Sequence, residues 1–151
     1  YSKTGISNLI NSEEGVLFWE GSGFINGGSE IMLSLSDGTT SNVIQSILHS
    51  TASRIIFRII LGGVNTVNLS SFDISQTENL KIALKWKEND FALWVNGVEK
   101  ASLTSGSTFL TNTINELNFS DSNGASSPFY GKVKQLQVFK TADIDLAALT
   151  S

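Results

Sequence analysis

Cysteine is absent from this chain of 151 residues, and histidine and proline occur once each. Without cysteine the chain has no disulfide scaffold, no thiolate chemistry and no Cys-ligated zinc or iron–sulfur site. A single histidine also leaves little material for a His-rich metal site or a His-paired nucleophile.

Charged side chains are scarce as well, at 16% of the residues, against about 25% in a typical domain. The formal net charge is -4, which disfavours a nucleic-acid backbone as a partner. Low charge combined with many Ser, Thr and Asn residues is typical of rigid β-proteins outside the cell or on a virion. We therefore expect a virion or extracellular location and no nucleic-acid partner.

Long hydrophobic runs are missing too. The longest run, in 55–61, is interrupted by Arg58 and is far shorter than the roughly 20 residues that a membrane helix needs. No basic segment followed by an apolar core opens the chain, so we expect neither membrane insertion nor a signal peptide. The length fits one ordinary domain. We expect residues 1–151 to form a single domain that is a fragment of a longer chain.

The chain does contain a series of short β-type runs separated by Gly, Asn, Asp and Ser, which is the pattern of an all-β protein. In 80–87, apolar residues alternate with lysines and one alanine, which predicts a strand with one face in the core. In 54–61 both faces are largely apolar, so we expect this strand to be central and covered on both sides.

Local signals predict how the strands are joined and how the chain ends. Asn96 and Gly97 predict a tight hairpin, because a type I′ turn needs positive φ at both positions. Irregular spacing of the apolar residues around Lys134 predicts a β-bulge. The segment 141–149 changes to helical spacing, with Thr141 as the expected N-cap. The sequence therefore predicts a two-sheet antiparallel sandwich, a jelly roll, with a short C-terminal helix.

Three motifs in the C-terminal half, residues 79–150, resemble those of laminin-G-like or concanavalin-A-like lectin domains. They are the strand 81–86, the hairpin segment 91–97, and the strand 129–139 followed by an acidic, Leu-containing end. The sequences of these motifs are similar to those of lectin-like domains in phage tail and virion fibre proteins. The resemblance implies a jelly roll that binds sugars, proteins or cell surfaces, with calcium in some members. Related folds include polysaccharide hydrolases and lyases, so the fold alone does not decide the function.

A pair of catalytic carboxylates would be the main sign of a polysaccharide-degrading enzyme, since glycosidases place two such groups roughly 5 to 9.5 Å apart. On a strand, this requires acids two residues apart on one face. Glu88 and Asp90 have that spacing but fall in a predicted turn. Asp143 and Asp145 fall at a helix start, where the helix dipole explains them. We therefore expect that the chain is not an enzyme, and polysaccharide degradation ranks last among the hypotheses.

Calcium is the one cofactor that the sequence leaves open, and it needs about six to eight oxygen ligands. Asp37 and Asp121 are weak candidates, with Ser122 and Asn123 following Asp121 in the same loop. No D-x-D-x-D-G loop is present, and such side chains in turns commonly hydrogen-bond to their own backbone. The turn interpretation is therefore favoured, and no other cofactor is expected.

Four residues are candidates for ligand contact: Trp94, Arg58, Tyr130 and Asn123. Trp94 projects away from the core face of its strand, where it is either covered by a loop or a subunit or available to a ligand. Arg58 is either a ligand contact on the concave face or half of an internal ion pair. Tyr130 is a rim partner, and Asn123 is a polar group of a loop.

Two binding hypotheses follow. The first is a non-catalytic module whose shallow surface, carrying these four residues, recognises a cell-surface glycan. Avidity would come from several copies in a homo-oligomer, a trimer if the chain is part of a fibre. The second is a structural or decoration module of a virion or surface fibre, in which Trp94 contacts another subunit. We favour the first, as the receptor-binding part of a phage or surface fibre, because the chain resembles lectins and lacks a catalytic pair.

Overall fold

The computed structural model describes residues 1–24, 30–49, 53–75, 78–124 and 126–151. These residues form eleven strands and one short helix, so the predicted all-β class is confirmed. None of the helical structure they contain is long and apolar enough to cross a membrane. In chain order the elements are β1 (Ser2–Lys3), β2 (Glu14–Ser22), β3 (Ile31–Ser36), β4 (Val43–His49), β5 (Arg54–Leu61), β6 (Val64–Ser71), β7 (Leu80–Lys87), β8 (Phe91–Val95), β9 (Val98–Leu103), β10 (Glu116–Asn118), β11 (Lys132–Phe139) and α1 (Leu146–Thr150).

The strands form two antiparallel sheets that pack face to face around one large core. Sheet A has six strands in the order β1-β10-β3-β4-β5-β6, and sheet B has five in the order β11-β2-β7-β8-β9. At one side of the sandwich the edge strands β6 and β9 contact each other. At the other side, sheet A ends with β1 and sheet B ends with β11. The predicted two-sheet sandwich is confirmed.

Alternation along each strand decides which side chains fill the core. Leu17 and Trp19 of β2 point inward from sheet B, and Ser46 of β4 points inward from sheet A. The Trp19 indole N–H donates to the Ser46 hydroxyl at 3.0 Å, a buried hydrogen bond that joins the two sheets. Trp86 is also fully buried and packs so closely on Gly15 that an added Cβ would lie 2.6 Å from its ring. Each large buried apolar side chain contributes about 1.5–3 kcal/mol to folding.

Several predicted local features are present. Asn96 and Gly97 join β8 to β9 with φ values of 47° and 82°, so the predicted hairpin is confirmed. The register of β11 against β2 shifts between Val133 and Gln135, which confirms the predicted bulge. The strand predicted in 54–61 is β5, and it lies inside sheet A between β4 and β6.

The C-terminal helix is present but begins later than predicted. Asp145, not Thr141, is the N-cap of α1, and its carboxylate accepts a hydrogen bond from the Ala148 amide at 3.0 Å. The Thr141 hydroxyl instead accepts from the Asp143 amide at 3.1 Å, which forms a local turn before the helix. Both side chains have the oxygen that an N-cap requires, so the pattern alone did not separate them.

Four aromatic rings pack edge to face beside the core: those of Trp19, Phe24, Phe119 and Phe129. Their ring centroids are 5.5 to 5.9 Å apart. Such pairs contribute about 0.5–1.5 kcal/mol beyond their buried area. Because Phe119 follows β10 and Phe129 precedes β11, this cluster anchors both ends of the loop between those strands.

Candidate functional site

The outer face of sheet A carries the side chains that alternate with those of the core. In β4, Ile44 and Leu48 belong to the core, and Ser46 bonds to Trp19 there. Gln45 of the same strand therefore points outward. The same alternation turns the even-numbered residues of β3 and β5 outward, because their odd-numbered neighbours lie in the core.

One outward residue from each strand of sheet A lies in a single row across this face. Gln45 pairs with Arg58 on one side and with Ser34 on the other. Farther out, Arg58 pairs with Asn68, and Ser34 pairs with Asn118. Every member is polar, and we refer to this set as the polar row: Ser2, Asn118, Ser34, Gln45, Arg58 and Asn68.

Two paired residues in the middle of the polar row each have a buried side-chain atom with no hydrogen-bond partner within the described residues. These atoms are Gln45 Oε1 and Arg58 Nε. Gln45 is only 6% exposed, and its amide nitrogen has the Met32 sulfur as its partner, 3.9 Å away. An unsatisfied buried polar atom costs about 1–3 kcal/mol, and most such atoms in proteins are paired. A polar ligand would reach these atoms only if the side chains that cover them moved, and bonding to both would then be favourable.

The alternative role considered for Arg58, an internal ion pair, is not found. Arg58 makes no salt bridge with any described residue. It lies on the outer face of an interior strand of sheet A, which is the setting expected for a ligand contact. The contact itself stays a prediction.

Apolar side chains lie next to the polar row. Met32, Ile47 and Ile56 form a small buried cluster on the outer face of sheet A. In β4 and β5 they are two residues from Gln45 and Arg58, so they lie on the same face. Apolar groups beside a few hydrogen-bonding groups are typical of small-molecule sites.

An exposed aromatic ring lies beyond this cluster. Phe72, which follows β6, is 64% exposed, and the Arg54 guanidinium lies 4.7 Å from its ring centroid, within cation–π range. Arg54 Nε is another buried atom without a partner in the described part of the chain. Phe72 was not among the predicted residues. The alternation of β6 could have identified it. Val67 and Leu69 pack on the core, so Phe72, an odd number of residues further on, is expected to point outward.

At its other end the polar row opens into a cavity of about 460 Å³. Asn118 lines this cavity together with Asn123 of the following loop. The Ser34 hydroxyl donates to the Ser120 carbonyl at 2.9 Å, which holds that loop near the outer face. From Asn118 to Arg58 the row crosses three strand spacings, about 14 Å. Asn118 and Ser34 are themselves buried, so the accessible part of the row lies around Arg58 and Asn68.

The structure brings two of the four predicted ligand residues to this face. Arg58 lies in the middle of the polar row, and Asn123 lies in the cavity at its β10 end. Tyr130 is exposed. In the sequence it follows Phe129 and precedes β11 of sheet B, and it is not part of the polar row. A ligand contact by Tyr130 stays a prediction.

Trp94 lies on the outer face of sheet B, so the two sheets separate it from Arg58. Its neighbours in β8, Leu93 and Val95, point into the core. The Trp94 ring is partly buried in a second cluster that includes Leu146 of α1. The expectation of one shallow surface shared by Trp94 and Arg58 is therefore wrong, because these side chains leave opposite faces of the sandwich. Residues of the same chain cover the Trp94 ring, so contact with another subunit is not needed to explain its partial burial.

The two calcium candidates take part in turns. The Asp37 carboxylate accepts hydrogen bonds from the Thr39 amide at 2.9 Å and the Asn42 side chain at 2.8 Å. Burial by itself raises the pKa of Asp37, but these hydrogen bonds outweigh it and hold the pKa below its ordinary value. Asp121 accepts from the Ser126 hydroxyl at 2.7 Å. The described residues include no group of three or more His, Cys, Asp or Glu that could hold a metal ion. Calcium binding stays a prediction.

The carboxylates with the spacing of a catalytic pair are engaged elsewhere. Glu88 and Asp90 lie in the turn between β7 and β8, where Asn89 has a φ of 59°. Asp90 pairs with the Lys85 ammonium at 2.6 Å, and Asp145 caps α1. These groups serve a turn, an ion pair and a helix cap. Asp143 lies before the N-cap and so outside the helix start that the sequence predicted for it.

No protein-family model matches the chain, and no curated protein matches it. Solved structures are similar to it in fold. The CBM40 of the Ruminococcus gnavus IT-sialidase, bound to α2,3-sialyllactose, is 18% identical with a TM-score of 0.74, and the match covers 100% of this chain and 98% of that one. Domain 4 of AbnA, an arabinanase from Geobacillus stearothermophilus, in complex with arabinotriose, is 14% identical with a TM-score of 0.70, covering 96% and 69%. Sheep galectin-11 is 8% identical with a TM-score of 0.57, covering 92% and 96%.

These neighbours are carbohydrate-binding modules and lectins built as two-sheet sandwiches. The predicted lectin-like jelly-roll fold is thereby confirmed. At these identities the likeness extends to the fold, and function has to be argued from the site.

Proposed function

We propose that this chain is a non-catalytic module that binds carbohydrate along the polar row of sheet A. The observation that carries the proposal is that Gln45 and Arg58, paired on β4 and β5, each have a buried atom without a partner among the described residues, Oε1 and Nε. A hydroxyl can donate to the first, and a hydroxyl or carboxylate can accept from the second. A sugar that does both would relieve the cost of leaving these atoms unpaired.

The chemistry of the row favours an acidic sugar over a neutral one. The Arg58 guanidinium can hold a carboxylate through two parallel hydrogen bonds, a geometry that a neutral hydroxyl does not match. Sialyllactose, the ligand bound by the R. gnavus module, is an acidic glycan and is therefore the first ligand to test.

Further contacts would extend the site at both ends. The exposed ring of Phe72 offers a stacking surface at one end, and Asn123 offers an amide in the cavity at the other end. We therefore expect an oligosaccharide to bind more tightly than its terminal sugar alone.

The proposed setting is the receptor-binding part of a phage or surface fibre, on a virion or outside the cell, with a cell-surface glycan as the partner. The support is the resemblance of the motifs in 81–86, 91–97 and 129–139, together with the low charge of the chain. A shallow site binds weakly on its own. A homo-oligomer, a trimer in a fibre, would raise the avidity without adding a contact.

A glycan array that includes acidic and neutral oligosaccharides, followed by calorimetry with sialyllactose, tests the proposal. Arg58→Gln should weaken binding by roughly ten-fold or more, because a hydrogen bond to a charged group contributes about 1.5–3 kcal/mol. Lys132→Gln is the matched control, since it removes one positive charge from an exposed position on sheet B. If the intact chain binds no glycan, or if Arg58→Gln binds as tightly as the parent chain, the proposal is wrong.

A further inference from the structure

A second cavity lies at the open side of the sandwich, on the inner side of β1 and β10 and so opposite the polar row. Its volume is about 500 Å³, within the range of small-molecule sites. Sheet A ends here with β1, and sheet B ends with β11. Ile6 and Leu9, from the segment that follows β1, also line the cavity.

Apolar side chains from both sheets form most of the lining. Leu117 of β10 belongs to the buried core, and Leu136 and Val138 of β11 pack against that core while still lining the cavity. Leu9 is 56% exposed at its edge. Apolar surface left in contact with water is unfavourable, and such patches commonly mark binding sites.

Two lysines, Lys3 and Lys140, are the charged side chains of the lining, which Tyr1 and Ile10 complete. Neither lysine side chain makes a salt bridge or a hydrogen bond within the described residues. No Asp or Glu is among the described residues that line the cavity. In a chain whose net charge is -4, a local surface with only positive charge favours an anionic group.

We propose that this cavity binds a medium-chain fatty-acid carboxylate. The hydrocarbon chain would lie against Leu117, Leu136 and Val138, and the carboxylate would lie between Lys3 and Lys140. Removal of CH₂ groups from water supplies the affinity, and the two ammonium groups orient the head group. The site is distinct from the polar row and does not depend on glycan binding.

Calorimetric titration of the intact chain with octanoate, decanoate and dodecanoate, each kept below its micelle-forming concentration, tests this proposal. Affinity should rise by roughly ten-fold for every two added CH₂ groups, as expected for burial of a hydrocarbon chain. Decanol has the same chain length as decanoate and no charge. It should bind several-fold more weakly than decanoate.

Variants separate the roles of charge and apolar contact. The double variant Lys3→Gln and Lys140→Gln should lower the affinity for decanoate to that for decanol and leave decanol unchanged. Leu9→Ser should weaken the binding of both decanoate and decanol. Leu110→Ser is the matched control, because Leu110 is 83% exposed and lies outside the cavity. In NMR spectra, decanoate should shift the Leu117 amide.

Failure of all three carboxylates to bind saturably would overturn the proposal, and so would equal affinities for decanoate and decanol. Binding to vesicles of anionic phospholipid without binding of free decanoate would also overturn it and indicate a membrane surface. Dimerisation that is lost in Leu9→Ser, without decanoate binding, would indicate a second copy of the chain instead.

Discussion

Gln45 and Arg58 face each other on adjacent strands of sheet A, and each has a buried polar atom that no described residue pairs with. Such atoms are uncommon because each costs about 1–3 kcal/mol. If the proposed glycan site lies here, stability at this point has been given up for ligand binding. A ligand role and a structural role therefore predict opposite effects of substitution.

Arg58→Met removes a charged group that has no partner among the described residues, and it keeps most of the side-chain volume. We expect the free energy of unfolding to stay equal or rise by about 1 kcal/mol, while binding of an acidic glycan is lost. Urea denaturation and calorimetry measure the two quantities on one sample, and Gln45→Leu is the companion variant. A decrease of more than about 1 kcal/mol in Arg58→Met would show that Arg58 stabilises the fold.

Trp94→Ala removes the ring that packs beside α1 on the outer face of sheet B. We expect a loss of about 2–3 kcal/mol, less than for a fully buried Trp. Amide hydrogen exchange should accelerate in α1, which would keep the packing of Leu146 in the cluster with Val16 and Phe18 and the hydrogen bond from the Gly97 amide to the Thr150 hydroxyl, at 3.0 Å. Glycan binding should not change, because Arg58 is on the other sheet.

Phe72→Ala is the counterpart of that variant on sheet A. It should weaken glycan binding and leave amide exchange in α1 as it is in the parent chain. The opposite pattern, with glycan binding lost in a folded Trp94→Ala variant and retained in Phe72→Ala, would move the site to sheet B.

Gly15→Ala tests the close packing of β2 against Trp86. A Cβ at this position would lie 2.5 Å from the Phe139 carbonyl oxygen and 2.6 Å from the Trp86 ring. Backbone or ring would have to move, and we expect a loss of about 3 kcal/mol or more in thermal denaturation. Gly62→Ala is the control: its φ is 59° and nothing lies within 4 Å of the added Cβ. The control should lose about 1–2 kcal/mol of stability. Equal losses of stability in both variants would contradict the packing explanation.

Asp73 and Lys100 form an ion pair between the end of β6 in sheet A and β9 in sheet B, with 2.7 Å between carboxylate and ammonium. The hydrogen bond from Lys100, helped by one from the Ser71 hydroxyl, lowers the pKa of Asp73 from 3.8 to about 2. The folded-state pKa is below the unfolded one, so the ionised carboxylate stabilises the fold. That contribution is complete above a pH of about 4 and is lost as the pH falls through about 2.

Titration of the Asp73 side chain by NMR measures this directly. The midpoint should be about 2 in the parent chain and should rise toward the ordinary value in Lys100→Ala. The pair is exposed, so we expect only a small change in overall stability. A parent-chain midpoint at 3.8, the value without a shift, would show that the ion pair does not form in solution.

Features of the fold that depend on a few neighbouring residues could be predicted from the sequence. The alternation in 80–87 and the Asn96-Gly97 turn are of this kind, because each is set within one strand or one hairpin. The helix start is not, since Thr141 and Asp145 both have a side chain that can cap. Which of them does so depends on where the chain turns before α1.

The polar row could not be predicted, because it depends on register between strands that are distant in sequence. Asn118 lies beside Ser34 only because β10 pairs with β3, and no local pattern specifies that pairing. Arg58 could be identified, because a charge within an apolar strand is visible in the sequence. The outward direction of Trp94 could be predicted as well. Its partial burial could not, because it is packed beside α1, a helix some fifty residues later in the sequence.

Ser46 and Gln45 are consecutive residues of β4, one bonded to the Trp19 indole in the core and the other turned outward. A slip of β4 by one residue would carry the Gln45 amide into the core and turn Ser46 out. The indole proton of Trp19 therefore reports, from inside the protein, how β4 is aligned on the outer face of sheet A. Its NMR resonance can distinguish a variant that has lost a ligand contact from one in which the whole strand has shifted.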